Sequence, residues 1–260
     1  MPFARALAVW LLVILAAGGA SAGAWLMPPG EGQIIAGAAF SGSSRAFDSH
    51  GHLIPVPSYD KFELGAYIEY GLVDWLTLVA SPAYDRIRQP APALSYNGAG
   101  ESAIGGRIGL YQSDGLVASL QAVLLTPGAS FNSAIEPRRA GSIDLRGMIG
   151  SNFTIGSTPA FVSAEGGYRF YAQSQPGEWR LDLTFGVRPI EKVLVLLQNF
   201  GALQTGASAA FPRSSWDKLQ TSLVYDFTPS ISGQIGAFLT VAGVNTGREL
   251  GPLAALWYRF

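Results

Sequence analysis

Residues 61–70 read KFELGAYIEY, a run in which polar and apolar side chains alternate at every position. The apolar face carries Phe62, Leu64, Ala66, Ile68 and Tyr70. The polar face carries Lys61, Glu63, Gly65, Tyr67 and Glu69. A helix would scatter these residues around its circumference, whereas a strand separates them onto two faces. The run therefore predicts an amphipathic β-strand.

The same alternation recurs over residues 179–189 and 218–227. Such segments are roughly 9 to 12 residues long, the length that a tilted strand needs to cross a bilayer. We expect strands at twelve places in the chain, near residues 32–45, 59–71, 75–86, 101–112, 116–125, 141–153, 160–171, 178–189, 193–203, 215–226, 231–243 and 249–260.

The connections between these segments alternate in length. The short ones are residues 72–74, 113–115, 156–159, 190–192 and 228–230. The long ones are residues 46–58, 87–100, 126–140 and 204–214. Bacterial barrels place short turns at the periplasm and long loops outside the cell. The sequence therefore predicts an all-β fold: a transmembrane antiparallel up-and-down β-barrel of about twelve strands, over residues 23–260.

The composition agrees with a chain that meets lipid. Only 13% of the residues are charged, against roughly a quarter in soluble proteins. The absence of cysteine excludes disulfides, thiolate metal sites and cysteine nucleophiles. A net charge of −1 leaves no basic stripe for nucleic acid. We expect no cofactor and no metal, because no phosphate-binding loop, dinucleotide fingerprint or metalloprotease helix is present.

Both ends of the chain carry signals for export and assembly. A positive charge at Arg5, an apolar run over 6–18 and the small residues of 20–22 predict a signal peptide over 1–22, cleaved after about Ala22. The chain ends on an alternating segment in which Tyr258 and Phe260 would join an interfacial aromatic girdle. This ending also resembles the signal read by the barrel-assembly machinery. The expected partners are that machinery, outer-membrane lipids and an unidentified small solute.

If the polar faces point inward, the lumen collects charges of both signs. The candidates are Lys61, Glu63, Glu69, Arg107, Asp144, Arg146, Glu165, Arg169, Arg180, Asp182, Arg188, Lys218, Asp226 and Arg259. Such a lining is compatible with a narrow aqueous path whose field discriminates solutes. It is equally compatible with paired charges that plug the barrel and hold its shape. The sequence leaves both interpretations open.

Two other functional classes have some support. A secreted β-sandwich or lipocalin-like barrel would show the same alternation with its apolar face inside, although it would need more surface charge. A lipid-modifying enzyme would use His50 or His52 with a serine, but both histidines fall in one predicted loop. Two imidazoles without a third ligand are a weak metal site.

The tryptophans carry a further expectation. Five of them lie near predicted strand ends, where indole rings favour the headgroup zone, namely Trp25, Trp75, Trp179, Trp216 and Trp257. We therefore predict that they form part of an aromatic girdle.

Several short segments resemble one known family. They are Ala22-Gly23-Ala24-Trp25, Pro28-Pro29-Gly30-Glu31-Gly32, Phe47-Asp48, Lys61, Tyr67-Ile68-Glu69-Tyr70-Gly71-Leu72 and Trp75-Leu76-Thr77-Leu78. They resemble the outer-membrane proteins grouped as the phenol-degradation meta-pathway family, over roughly residues 22–85. The resemblance implies a barrel that takes up small, often aromatic or hydrophobic compounds. It transfers no ligand-contact residue to this chain.

Overall fold

The computed structural model describes residues 23–91, 95–128, 141–173, 175–208 and 211–260. The predicted signal peptide over 1–22 lies outside these residues. Fifteen β-strands occur in the described chain: β1 (Gly32–Phe47), β2 (Leu53–Val73), β3 (Leu76–Ser81), β4 (Ala83–Arg88), β5 (Tyr96–Ala99), β6 (Ala103–Gln112), β7 (Leu116–Leu125), β8 (Ser142–Ile155), β9 (Thr158–Tyr171), β10 (Glu178–Ile190), β11 (Val193–Gln204), β12 (Ser215–Asp226), β13 (Ile231–Val244), β14 (Thr246–Gly247) and β15 (Leu250–Arg259).

These strands close into one barrel. β1 pairs antiparallel with β2 on one side and with β15 on the other, so the sheet joins its own ends. β3 and β4 are two halves of one wall strand, because both pair with β2 and Pro82 separates them. A proline has no N–H to donate to the ladder, which accounts for a break at this position. The wall therefore has twelve antiparallel strands, and the predicted fold class is confirmed.

The short turns lie at the end of the barrel where β1 begins and β15 finishes. By the rule for bacterial barrels we call this the periplasmic end, and the opposite end the extracellular end. The extracellular connections differ from the prediction in two places. β1 and β2 continue pairing up to Phe47 and Leu53, so most of the predicted loop 46–58 is strand. The predicted loop 87–100 contains β5, which pairs with β4.

The two faces of the wall differ in chemistry as the alternation predicts. Leu181 and Leu183 of β10 are exposed on the outer face, whereas Arg180 and Asp182, which alternate with them, are largely covered. The same holds around the barrel, where large apolar side chains are exposed outside and polar ones are covered inside. A soluble β-sandwich or lipocalin would bury its apolar face, so that alternative is wrong. No helix in the described chain is long and apolar enough to span a bilayer.

A charge on the outer face should be costly. Leu183 is 42% exposed near the middle of β10. We expect Leu183→Arg to lower the free energy of unfolding by about 2–4 kcal/mol, since lipid does not solvate a guanidinium at the bilayer midplane. Urea unfolding in lipid vesicles measures this loss. The control is Thr184→Arg, whose side chain faces the lumen; an equal loss in both variants would contradict the assigned faces.

Candidate functional site

The structure places the fourteen charged residues predicted to line the lumen on the inward faces of their strands. All fourteen form ion pairs. Twelve pair with another member of the set, whereas Lys218 and Arg180 pair only with carboxylates that the prediction omitted. They fall into four groups along the barrel.

The centre of the wall carries a network of carboxylates and guanidinium groups on β8, β9 and β10. Arg146 is its hub, because its guanidinium contacts Asp144 at 2.7 Å, Glu165 at 3.4 Å and also Asp182. Glu165 and Asp182 are direct cross-strand neighbours, a placement that is repulsive for like charges. A cation between them offsets this repulsion, so Arg146 holds the three strands in register on the lumen side.

Arg169 extends this network toward the extracellular end. Its Nε donates to Asp144 at 3.0 Å and its Nη1 donates to Glu101 at 2.9 Å. Glu178 accepts a hydrogen bond from Arg180 at 2.8 Å. Each guanidinium group in this part of the lumen is therefore paired with carboxylates. These charge-assisted hydrogen bonds replace the hydrogen bonds to water that the group loses inside the barrel.

On the periplasmic side of the network, Arg107 is completely buried, and every nitrogen of its guanidinium group makes a hydrogen bond or an ion pair. Its Nη2 lies 2.8 Å from Glu69 Oε1 and donates to the Tyr67 hydroxyl at 2.8 Å. Its Nε and Nη2 donate to Gln121 at 3.2 and 2.9 Å. The remaining Nη1 donates to the carbonyl oxygen of Trp25 at 2.8 Å. Arg107 thus ties the chain before β1 to the barrel wall.

That chain, residues 23–31, runs into the lumen from the periplasmic end; we call it the N-terminal segment. Gly30 N–H donates to the Gly71 carbonyl at 2.8 Å, and Met27 N–H donates to Thr77 Oγ1 at 2.9 Å. Ala24 is buried against Val117 and Met148. The segment therefore has both polar and apolar contacts with the inner wall.

The indole of Trp25 completes an apolar layer at this end of the barrel. The ring meets Phe161 edge-on, with centroids 5.8 Å apart. A Cβ at Gly150 would lie 2.6 Å from the Trp25 ring, so only glycine leaves room for it there. The layer continues through buried Leu194, Leu196, Val224 and Trp257. An apolar cluster across the lumen excludes water, so the N-terminal segment occludes the periplasmic half.

This layer corrects the prediction for the tryptophans. Trp75 and Trp179 are exposed on the outer face, as a girdle requires. Trp25 and Trp257 instead lie in the apolar layer, and Trp216 lies 5.1 Å from the Arg180 guanidinium of the lumen. Being near a strand end does not say which face a side chain takes. The pleat of the strand decides that: Trp216 and Trp257 share their parity with the lumen residues Lys218 and Arg259, whereas Trp25 lies before β1, outside any strand.

The ionic groups at the periplasmic exit and the C-terminus lie close together. Asp226 pairs with Arg188 at 2.7 Å and with Arg259 at 3.6 Å. Phe260 exchanges backbone hydrogen bonds with Gly32 at 2.8 and 3.0 Å, which closes the seam between the first and last strands. The rings of Tyr258 and Phe260 are stacked and exposed on the outer face. Their role in assembly stays a prediction.

At the extracellular end, the inward face carries a fourth group. Lys61 Nζ lies 2.7 Å from Glu63 Oε1. Lys218 pairs with Glu249, whose other oxygen accepts a hydrogen bond from Tyr59 at 3.0 Å. Lys218 Nζ also lies 5.2 Å from the Trp216 ring centroid. Tyr59 and Lys61 are on β2, Glu249 precedes β15 and Lys218 is on β12, so this group follows one arc of the wall.

Sequence reasoning missed four carboxylates of the lumen, Asp85, Glu101, Glu178 and Glu249. For two of them, the spacing from a residue already predicted to face the lumen could have identified them. Glu178 is two residues from Arg180, and Glu249 is ten residues from Arg259. An even spacing along one strand places two side chains on the same face.

The loop histidines do not form a catalytic arrangement. Asp48 accepts the backbone N–H groups of His52 at 2.9 Å and His50 at 2.8 Å, and these bonds lower the pKa of its carboxyl group. Ser49 Oγ contacts His50 Nδ1 at 3.2 Å, whereas Asp48 Oδ2 contacts His52 Nδ1 at 3.6 Å. The serine and the aspartate thus contact different imidazoles. Within the described ranges, no three potential ligands are grouped to hold a metal.

No family model matches the chain, and no curated protein is significantly similar to it. The resemblance to the phenol-degradation meta-pathway family therefore stays a prediction. Solved structures do match. The COG4313 outer membrane channel from Pseudomonas putida F1 is 14% identical with a TM-score of 0.73, covering 91% of this chain and 98% of that chain.

Two further solved structures are similar in fold. The NanC porin has a TM-score of 0.53 and 10% identity, covering 85% of this chain and 98% of that chain. The translocator domain of the autotransporter NalP from Neisseria meningitidis has a TM-score of 0.51 and 10% identity, covering 90% of each chain. At these identities the likeness shows the fold: the chain is a twelve-stranded barrel of the outer-membrane type.

Proposed function

We propose that this protein is a passive outer-membrane channel for small solutes. The observation that carries the proposal is the solvent exposure of two inward-facing carboxylates at the extracellular end. Glu63 and Glu101 face the lumen, and the side chain of each remains 42% exposed. Carboxylates keep this exposure when the space in front of them holds water, so the extracellular half of the lumen is a wet vestibule.

The comparisons support the same role. A channel and a porin share the fold over most of their length. The lining of this barrel also fits a channel, because charges of both signs line its path and create a local field. Diffusion down a gradient accounts for transport without an energy source.

The closed periplasmic half is part of the proposal. The N-terminal segment occupies the lumen through a small set of contacts, chiefly those of Arg107 and the apolar layer around Trp25. A solute crosses when this segment moves aside. The apolar layer also favours small hydrophobic or aromatic solutes, the class that the family resemblance implies, because such solutes replace the contacts that Trp25 gives up.

A second candidate is a closed structural barrel. It is favoured by the full engagement of Arg107 and by the ion pairs that hold the central network. This barrel would have the same fold but would pass no solute. The two candidates differ in one observable, the permeability of vesicles that contain the folded protein.

Entry of neutral solutes into proteoliposomes tests the proposal. We expect the folded protein to admit small sugars and small aromatic alcohols at rates that fall as solute size rises, because the path is narrow. A heat-denatured sample of the same protein is the control. If vesicles with correctly folded protein exclude every solute, the closed structural barrel is the better account.

A further inference from the structure

Two carboxylates face each other directly at the extracellular end of the lumen. Glu63 of β2 is the cross-strand partner of Asp85 of β4, and both lie on the inward face. Like charges in this position repel each other, and a neighbouring cation must offset the cost. A nearby cation is therefore to be expected.

The cations present do not satisfy every carboxylate. Lys61 pairs with Glu63 and Lys218 pairs with Glu249. Asp85 is 8% exposed, and within the described ranges no cation lies within 4 Å of its carboxyl group, although the charge of Lys61 acts on it from further away. This arc of the wall thus has three carboxylates and two ammonium groups. A covered carboxylate that no donor or cation contacts costs free energy, and Lys61 is shared among all three carboxylates, so this arc can accept a further cation.

The Asp85 carboxyl group keeps some contact with the lumen, because neither of its oxygens is among the sealed, unpartnered side-chain atoms of the described chain. Gly100 N–H donates to the Ala83 carbonyl at 2.8 Å beside it. A Cβ at Gly100 would lie 3.1 Å from Asp85 Cγ, so a larger residue would crowd this carboxyl group. The adjacent Glu63 side chain is 42% exposed. A solute in the vestibule can therefore reach the pair.

We propose that Glu63 and Asp85 bind the ammonium group of a small organic cation that enters from outside the cell. Lys61 shows the chemistry, since its own ammonium is held by Glu63 at 2.7 Å. An ammonium offers three donors to carboxylate acceptors on one wall. A divalent metal instead needs about six oxygen ligands around it, and no suitable group of three ligand residues exists in the described chain.

The inference rests on the proposed function, because it names a solute class for the same lumen. Organic amines with an aromatic group would contact both the carboxylate pair and the apolar layer of the lumen. The ammonium would meet Glu63 and Asp85 in the vestibule, and the ring would then meet the apolar layer around Trp25. The carboxylate pair would select for charge before the solute reaches the occluded half.

Calorimetric titration of the purified, folded protein tests the site without requiring conduction. The probes are phenethylammonium and phenethyl alcohol, which share a ring and differ in charge. We expect Asp85→Asn and Glu63→Gln each to weaken phenethylammonium binding about tenfold, as the loss of one charge-assisted hydrogen bond implies. The weaker binding of phenethyl alcohol should not change. Heat modifiability on gels confirms that each variant is folded.

Asp60→Asn is the matched control. It removes the same charge from β2, the strand that carries Glu63, but Asp60 is exposed on the outer face opposite Arg88. We expect it to leave phenethylammonium binding unchanged. Equal effects of Asp60→Asn and Asp85→Asn would overturn the site, as would equal affinity of the wild type for both probes. Competition by calcium at the same carboxylates would show a metal site and overturn the ammonium proposal.

The binding experiment and the conduction experiment can fail independently of each other. Carboxylate-dependent binding by a protein that is silent in bilayers would contradict the channel and support the site. Conduction without carboxylate-dependent binding would contradict the site and support the channel.

Discussion

Deleting residues 24–28 should raise the time-averaged conductance of the barrel by at least about tenfold, because the path is then open continuously instead of only when the N-terminal segment moves aside. Trp25 is the largest part of that obstruction, and it packs against Phe161 within the apolar layer. The barrel wall should survive, since the pairing of β1 with β2 and β15 begins after the deleted residues. Conductance in planar bilayers measures the change.

A cross-link gives the complementary control without a deletion. Ala24 lies in one buried cluster with Val117 of β7, and the chain has no native cysteine to interfere. In the variant Ala24→Cys with Val117→Cys, oxidation should suppress conductance and a reductant should restore it. Conductance that is the same in both redox states would mean that solutes pass around the N-terminal segment, contrary to our account.

Arg146→Ala should lower the free energy of unfolding by about 3 kcal/mol, because it leaves several partly buried carboxylates without their shared cation. The guanidinium contacts Asp144, Glu165 and Asp182, and its side chain is mostly covered. Glu165 and Asp182 would then repel each other directly across β9 and β10. Urea unfolding in lipid vesicles measures the loss.

A double-mutant cycle separates this repulsion from lost packing. Adding Asp182→Asn to Arg146→Ala removes one of the unpaired carboxylates, so the double variant should regain part of the stability that the single variant loses. Arg180→Ala, which deprives a single carboxylate, Glu178, of its cation, should cost less. If Asp182→Asn makes the Arg146→Ala variant still less stable, the lumen charges are held by packing and not by electrostatic pairing.

The sequence predicts the barrel well because the membrane imposes a simple pattern. Lipid selects apolar residues on one face of every strand, so period-two runs such as 61–70 identify both the strand and its outer side. The short turns then place the termini at one end. Strand limits at the extracellular end are harder to predict, because above the membrane no lipid constrains the outer face. β1 and β2 accordingly continue beyond the predicted limit.

The sequence predicts which charged residues face the lumen, but it does not predict which of them form ion pairs. Parity identifies inward charges, yet only the register between strands shows which of them meet, such as Asp144 with Arg169. The N-terminal segment has no period-two pattern, so nothing in it indicates a place inside the barrel. Leu194 and Leu196 show the remaining ambiguity. Adjacent positions of β11 are all apolar, and only the fold assigns these two to the lumen.

Single-channel recording of the purified wild-type protein, with its folded state shown by heat modifiability, tests the central claim most directly. We predict discrete conductance steps that are brief in the wild type, because the N-terminal segment occupies the path for most of the time. Continued silence from folded protein, in the wild type and in the variant that lacks residues 24–28, would contradict a channel and leave a closed structural barrel.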